Sequence, residues 1–82
     1  MENEPVPQRQ LTFGEKAVGL NFNPSNDSRV DRIKKACAVV IDELNDLRNE
    51  TTSGEVKRQC SVAITEIQTG QMWGVKAATW KD

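Results

Sequence analysis

No histidine and no tyrosine occur in this chain of 82 residues, which has only two cysteines, two tryptophans and two phenylalanines. Lack of histidine removes the commonest general base and the commonest metal ligand. Cys37 and Cys60 stand 23 positions apart with no CxxC pair, so they do not compose a zinc site and read either as buried small hydrophobes or as one disulfide. The first reading suits a reducing cytoplasm, which is the expected compartment. There is no phosphate-cradling GxxxxGK[ST] loop, no nucleophile with an evident base and no carboxylate cluster on one helical face. The chain is therefore expected not to be an enzyme and to use neither a cofactor nor a metal.

An excess of charge is also missing. Eleven Lys and Arg oppose twelve Asp and Glu, for a net charge of −1. No overall basic field recruits a nucleic-acid polymer, and no acidic tail solvates the chain. No run approaches the ~20 apolar residues of a membrane span. The opening "MENEPVPQRQLTFGEKAVGL" lacks the basic start and apolar run of a leader or anchor, so none is expected.

What is present is helical. Residues 1–9 hold two prolines and almost nothing apolar, and read as a flexible arm before a single domain at 10–82. Thr12 with Glu15 forms a capping box that starts a short helix over about 12–20, ending near Gly19. In "NFNPSNDS", Pro24 extends the backbone before it, and Ser25, Asn26, Asp27 and Ser28 are all competent caps. Val30, Ile33, Cys37, Val40, Leu44 and Leu47 then recur at spacings of 3 and 4, which predicts a long helix over about 28–48. A polar link follows, and Thr52 with Glu55 suggests a second capping box for a helix over about 54–79. Its seam would be Val56, Cys60, Ala63, Ile67, Gly70, Gly74 and Ala77. The expected fold is all-α: a short N-terminal helix, then a long antiparallel hairpin.

One hairpin cannot cover every apolar side of "ACAVVI" in the middle of the long helix, Val39 included. A core this small is marginal alone, so an obligate homo-oligomer is expected. The opposite side of the last helix carries Arg58, Val62, Thr65, Thr69, Met72 and Lys76, with Trp73 and Trp80 at its edge. This mixture of cations, hydroxyls and tryptophan fits a subunit interface. A sharper, compatible reading is a ligand pocket at such an interface, with tryptophan stacking on a base and the cations meeting phosphate. Arg29, Arg32, Lys34 and Lys35 form a solvated basic face or an anion site. Phe13 and Phe22 either pack the short helix onto the hairpin or offer a stacking wall. In "GQMWG" the spacing of Gly70 and Gly74 resembles a membrane dimerisation motif. Gln68, Gln71 and Lys76 exclude a span, which leaves close packing in the hairpin as the reason for the glycines.

The segments "LTFGEKAVGLNFNPSND", "VDRIKKACAVVIDELNDLR" and "SVAITEIQTGQMWGVKAATW" together resemble the phage anti-defence helical-hairpin family from about Leu11 to Trp80. Its members are sponges for the cyclic nucleotide signals of CBASS immunity and the cyclic ADP-ribose signals of Thoeris immunity. The resemblance implies a homohexamer in the host bacterial cytoplasm. Cyclic dinucleotides or cyclic ADP-ribose isomers would occupy one type of inter-protomer pocket, and cyclic trinucleotides another near the three-fold axes. It implies that Lys34 contacts phosphate, that Arg58 lines the three-fold pocket and that Lys76 ends a pocket wall. Phe13 is the nearest aromatic to a stacking ring that relatives carry near the N-terminus. Thr65, Thr69 and Trp73 complete the candidate ligand-binding set. The alternative is a structural or protein-binding hairpin whose Trp and Met face makes subunit or host-protein contacts.

Overall fold

The computed structural model describes residues 9–82, and contains no strand among them. The expected arm at 1–9 lies, but for Arg9, outside the described residues. Three helices follow in order: α1 (Phe13–Ala17), α2 (Ser28–Glu50) and α3 (Gly54–Ala78).

α1 is a single short turn with both ends closed. The Thr12 hydroxyl accepts from the Glu15 amide at 3.1 Å, and the Glu15 carboxylate accepts from the Thr12 amide at 2.9 Å. At the other end Gly19 adopts φ +63°. The Leu20 amide reaches back to the Glu15 carbonyl at 3.0 Å and the Gly19 amide to that of Lys16 at 3.1 Å, the paired bonds of a Schellman stop. The helix is thus shorter than the expected 12–20, because the left-handed glycine ends it.

Asp27 caps α2 by accepting from the Arg29 amide at 2.8 Å. The preceding turn is held by Asn23, whose side-chain amide donates to the Asp27 carbonyl at 3.1 Å and to Asp31 at 3.0 Å. The cap of α3 differs from the expected capping box. Ser53, not Thr52, is the N-cap and accepts from the Val56 amide at 3.1 Å. The shift of one residue puts Glu55 out of reach of that reciprocal bond, and its carboxylate turns to Arg58 and Gln59 instead.

The buried line of each long helix is rotated from the expected one. On α2 it runs Val30, Lys34, Ala38 and Ile41, while Val40 and Leu47 are exposed. On α3 it runs Cys60, Ile64 and Gln71, while Gly70 and Ala77 are exposed. The cause is α1, which packs on α2 beside α3. The deepest positions of α2 face the junction of all three helices rather than the hairpin partner alone. Val18, Ala38, Ile41 and Ile64 form that junction, flanked by Leu20, Cys37, Leu44 and Ile67. Both cysteines are free thiols, so the disulfide reading is not taken.

The glycine reasoning also changes. A Cβ on Gly70 would meet nothing within 4 Å, and one on Gly74 would stand 3.4 Å from the Ile33 Cγ2. Of the pair, only Gly74 touches the hairpin seam. The closest backbone approach is at Gly14, where a Cβ would lie 2.2 Å from the Ala38 carbonyl oxygen.

Arg48 and Lys57 brace the link end of the hairpin. Arg48 donates to Ser61 at 3.0 Å and to Asn45 at 2.7 Å, and the Lys57 ammonium donates to the Arg48 carbonyl at 2.9 Å.

Candidate functional site

With Ile64 and Gln71 turned inward, the helical repeat turns Thr69, Met72, Trp73 and Lys76 outward. These four residues line a shallow hollow of about 300 Å³ on the outer face of α3. Trp73 is 66% exposed. The Lys76 ammonium lies 5.6 Å from the centroid of the Trp73 ring and 6.0 Å from that of Trp80, so one cation sits between two indoles. The Trp80 N–H donates to Asp82 at 3.1 Å. Thr69 spends its hydroxyl proton on the Thr65 carbonyl at 3.1 Å, which leaves its oxygen as an acceptor. The wall is thus mostly apolar, with one positive charge and one indole face, and a second indole, Trp80, on the far side of the cation. Such a surface suits a planar, anionic ligand better than a neutral apolar one.

The remaining candidate residues lie elsewhere. Thr65 lines a second hollow of about 270 Å³ with Ser61, Val62 and Glu66. Arg58 is further along still, ~22 Å from Trp73 by helical rise. Its guanidinium forks onto Glu55, with Nε to Oε1 at 3.0 Å and Nη2 to Oε2 at 2.7 Å. That pairing raises the Arg58 pKa above its ordinary value and holds the Glu55 carboxyl below the usual carboxylate range, where Gln59 adds a second hydrogen bond. Within one chain, then, Arg58 and Trp73 cannot grip one small ligand.

Lys34 and Phe13 stand on other elements. Lys34 is only 5% exposed. Its ammonium donates to the Gly19 carbonyl at 2.9 Å and to the Phe22 carbonyl, pinning the end of α1 to α2. The Phe22 ring, 5.6 Å from that ammonium, is 71% exposed. The packing expected of Phe22 onto the hairpin is therefore not found. Phe13 is also exposed on one side and carries the Arg48 guanidinium 5.4 Å from its ring centroid.

Three residues gain importance that sequence reasoning did not give them. Asp42 accepts from the Gly14 amide at 2.7 Å and so fixes where α1, and with it Phe13, sits on α2. Arg48 meets Phe13. Gln71 is buried on the inner face of α3, and its polarity at a position one turn from two apolar ones was the available signal. Burial also pushes the Cys37 thiol above its ordinary pKa, so it is not activated as a thiolate. Among the described residues there is no group of three or more metal-ligating side chains, and no helix is long and apolar enough to cross a membrane.

A family model described as "Acb2/Tad1, hairpin domain" matches residues 15–79. The chain belongs to the Acb2/Tad1 hairpin family. That is the anti-CBASS and anti-Thoeris sponge family the sequence resembles. The matched segment takes in most of α1, the whole of α2 and α3, and therefore the α3 outer face from Arg58 to Lys76. Comparison with curated proteins and with solved structures gives no match. The Acb2/Tad1 assignment thus rests on the family model over residues 15–79.

Proposed function

We propose that this protein is a phage-encoded sponge that binds cyclic nucleotide immune signals in the host cytoplasm without degrading them and so blocks CBASS or Thoeris defence. The ligands would be cyclic dinucleotides, cyclic trinucleotides or cyclic ADP-ribose isomers. The observation that carries this reading is the Trp73, Lys76, Met72 and Thr69 hollow on the outer face of α3, in a chain of the Acb2/Tad1 family.

Capture needs tight binding, not chemistry. To hold a signal present at nanomolar concentration, the complex needs about −12 kcal/mol. One stacking contact contributes ~1–3 kcal/mol, so a single open hollow falls short. Several side chains from more than one copy must converge, which supports assembly into a homohexamer with pockets between protomers. The ~22 Å between Arg58 and Trp73 supports the same conclusion, since residues that far apart in one chain would serve different pockets or meet across copies. Lys34 would contact phosphate and Phe13 would stack on a base; Thr65 and Thr69 would read polar edges. For Lys34 this requires its remaining N–H to reach the ligand, or the turn at Gly19 to Phe22 to release it.

Calorimetry against a panel of cyclic di- and trinucleotides and cyclic ADP-ribose isomers tests the proposal. At least one ligand should bind tightly and be recovered intact after heat denaturation of the complex. Absence of binding across the panel rejects it, and recovery of cleaved ligand would indicate an enzyme.

A second reading has its own observation. Val62, Met72 and Trp73 on α3, and Trp80 just beyond its end, are all large apolar side chains that are exposed, as in a protein-docking surface. In that case Arg58→Glu with Lys76→Glu should leave cyclic nucleotide binding at zero, as in the parent, while a host protein co-purifies.

A further inference from the structure

The cleft between α3 and the end of α1 contains a polar side chain with no hydrogen-bond partner among the described residues. Gln71 is 7% exposed, and its carboxamide makes no hydrogen bond among the described residues. Gln68, one turn earlier, behaves differently and donates across the same cleft to the Ala17 carbonyl at 3.2 Å. Buried carboxamides without a partner are few in native proteins, because burial takes away the water that would otherwise satisfy them. Gln71 lines an open cavity of about 480 Å³ with Lys16, Gly19, Phe22, Lys34 and Met72. That volume is within the range of small-molecule sites.

This cavity is separate from the outer hollow of α3. Met72 borders both spaces. The ~100° turn per residue places Gln71 on one side of it and Trp73 on the other.

The lining defines a ligand chemistry. A carboxamide presents an acceptor and a donor side by side in one plane, and pairs in two bonds with a ring edge that offers an amino group beside a bare ring nitrogen. The exposed Phe22 ring offers a stacking face at the mouth. Lys34 directs two of its three N–H groups to the Gly19 and Phe22 carbonyls and keeps one. Lys16 is exposed at the rim, so positive charge is available on both sides for a phosphate.

We propose that the Gln71 cavity is a nucleotide site within a single chain, in which Gln71 pairs with the amino edge of an adenine-type ring and Phe22 stacks on its face. All of its lining comes from one chain, with Lys34 shared with the proposed capture set and Met72 shared with the outer hollow of α3.

Nuclear magnetic resonance of the full chain with adenosine 5′-monophosphate tests this directly. The nucleotide should shift the side-chain NH₂ resonances of Gln71 and the ring resonances of Phe22. Purine riboside 5′-monophosphate, which lacks the amino group, should bind at least tenfold more weakly. Gln71→Leu should weaken adenosine 5′-monophosphate at least tenfold and abolish its advantage over the purine riboside. If Gln71→Leu closes the cleft by packing, Phe22→Ala at its exposed position gives an independent reading, again with at least a tenfold loss. Trp73→Ala should retain the binding, so failure of the sponge reading and failure of this one are distinguishable. A cyclic diadenylate that shifts the same NH₂ makes this site part of signal capture, and a shift with the mononucleotide alone makes it a separate site; both support the proposal. An unmoved Gln71 NH₂ at millimolar nucleotide, exchanging only with water, overturns it. Equal affinity for the two nucleotides also overturns it.

Discussion

Gly14 meets Ala38 backbone to backbone, with the Gly14 amide donating to the Asp42 carboxylate at 2.7 Å just beyond. The Ala38 carbonyl belongs to the middle of α2, so it cannot retreat from a new side chain. Gly14→Ala should therefore undock α1 and lower the unfolding free energy by about 1–3 kcal/mol, the usual range for overpacking. Urea denaturation followed by circular dichroism checks it. A midpoint equal to that of the parent would mean that α1 does not sit on Ala38.

The same substitution at Gly70 should have the opposite sign. Nothing lies within 4 Å of a Cβ there, and the residue is inside α3. Gly70→Ala gains about 1 kcal/mol of helix propensity, read as a higher melting temperature. A loss of stability would show that a neighbouring chain presses on this point.

Lys34 anchors the α1 to α2 connection whether or not a ligand is present. Lys34→Met keeps the packed stem but leaves the Gly19 and Phe22 carbonyls without their donor. Loss of charge-assisted hydrogen bonds of this kind costs about 1.5–3 kcal/mol. Thermal melting of the ligand-free protein should register the cost. An unchanged melt would assign the lysine to ligand contact alone.

Acid should open the cap of α1 late. The Arg9 hydrogen bond, followed by that from the Thr12 amide, holds the Glu15 carboxyl below its ordinary pKa. A depressed folded value means that the contribution is present above the unfolded pKa and is lost as pH falls through the folded one. In an NMR titration the Glu15 carboxyl should therefore show a midpoint below the ordinary value of about 4.3. Arg9→Ala should move it upward. A midpoint at or above the ordinary value in the parent contradicts the pairing.

Glu55 competes for the Arg58 guanidinium with any anion that binds there. Under the proposed capture of cyclic nucleotides, Glu55→Gln frees the fork and should raise affinity for a ligand at Arg58, while Arg58→Ala should lower it. Calorimetry with the tightest ligand of the panel gives both numbers. An affinity unmoved by either change removes Arg58 from the binding set.

Caps and periodicity made the three helices legible. Thr12 with Glu15, Asp27 and the 3-and-4 spacing of α2 are local signals, readable within one turn of chain. Which stripe is deepest was not legible, because it depends on where α1 docks. That docking is decided by Gly14 against Ala38, a contact between residues 24 positions apart with no periodic signature. The outer face of α3 could be read as an uncovered mixture of tryptophan and cations, and Thr69, Trp73 and Lys76 do share one hollow. Lys34 was legible as a cation but not as a buried one, since its burial follows from the turn at Gly19 folding back over α2. Gln71 was legible as a polar residue one turn from apolar ones but not as a buried one, since its burial depends on which way α3 rolls.

The Cα trace extends only 13 Å in its thinnest direction, against 43 and 37 Å in the other two. A plate of this kind has two broad sides and only a small interior. Whatever stacks on either side enlarges the buried volume of the whole molecule, so under the proposed assembly a neighbouring copy contributes directly to folding. The melting temperature should then climb with protein concentration, and dilution alone should be able to unfold the chain.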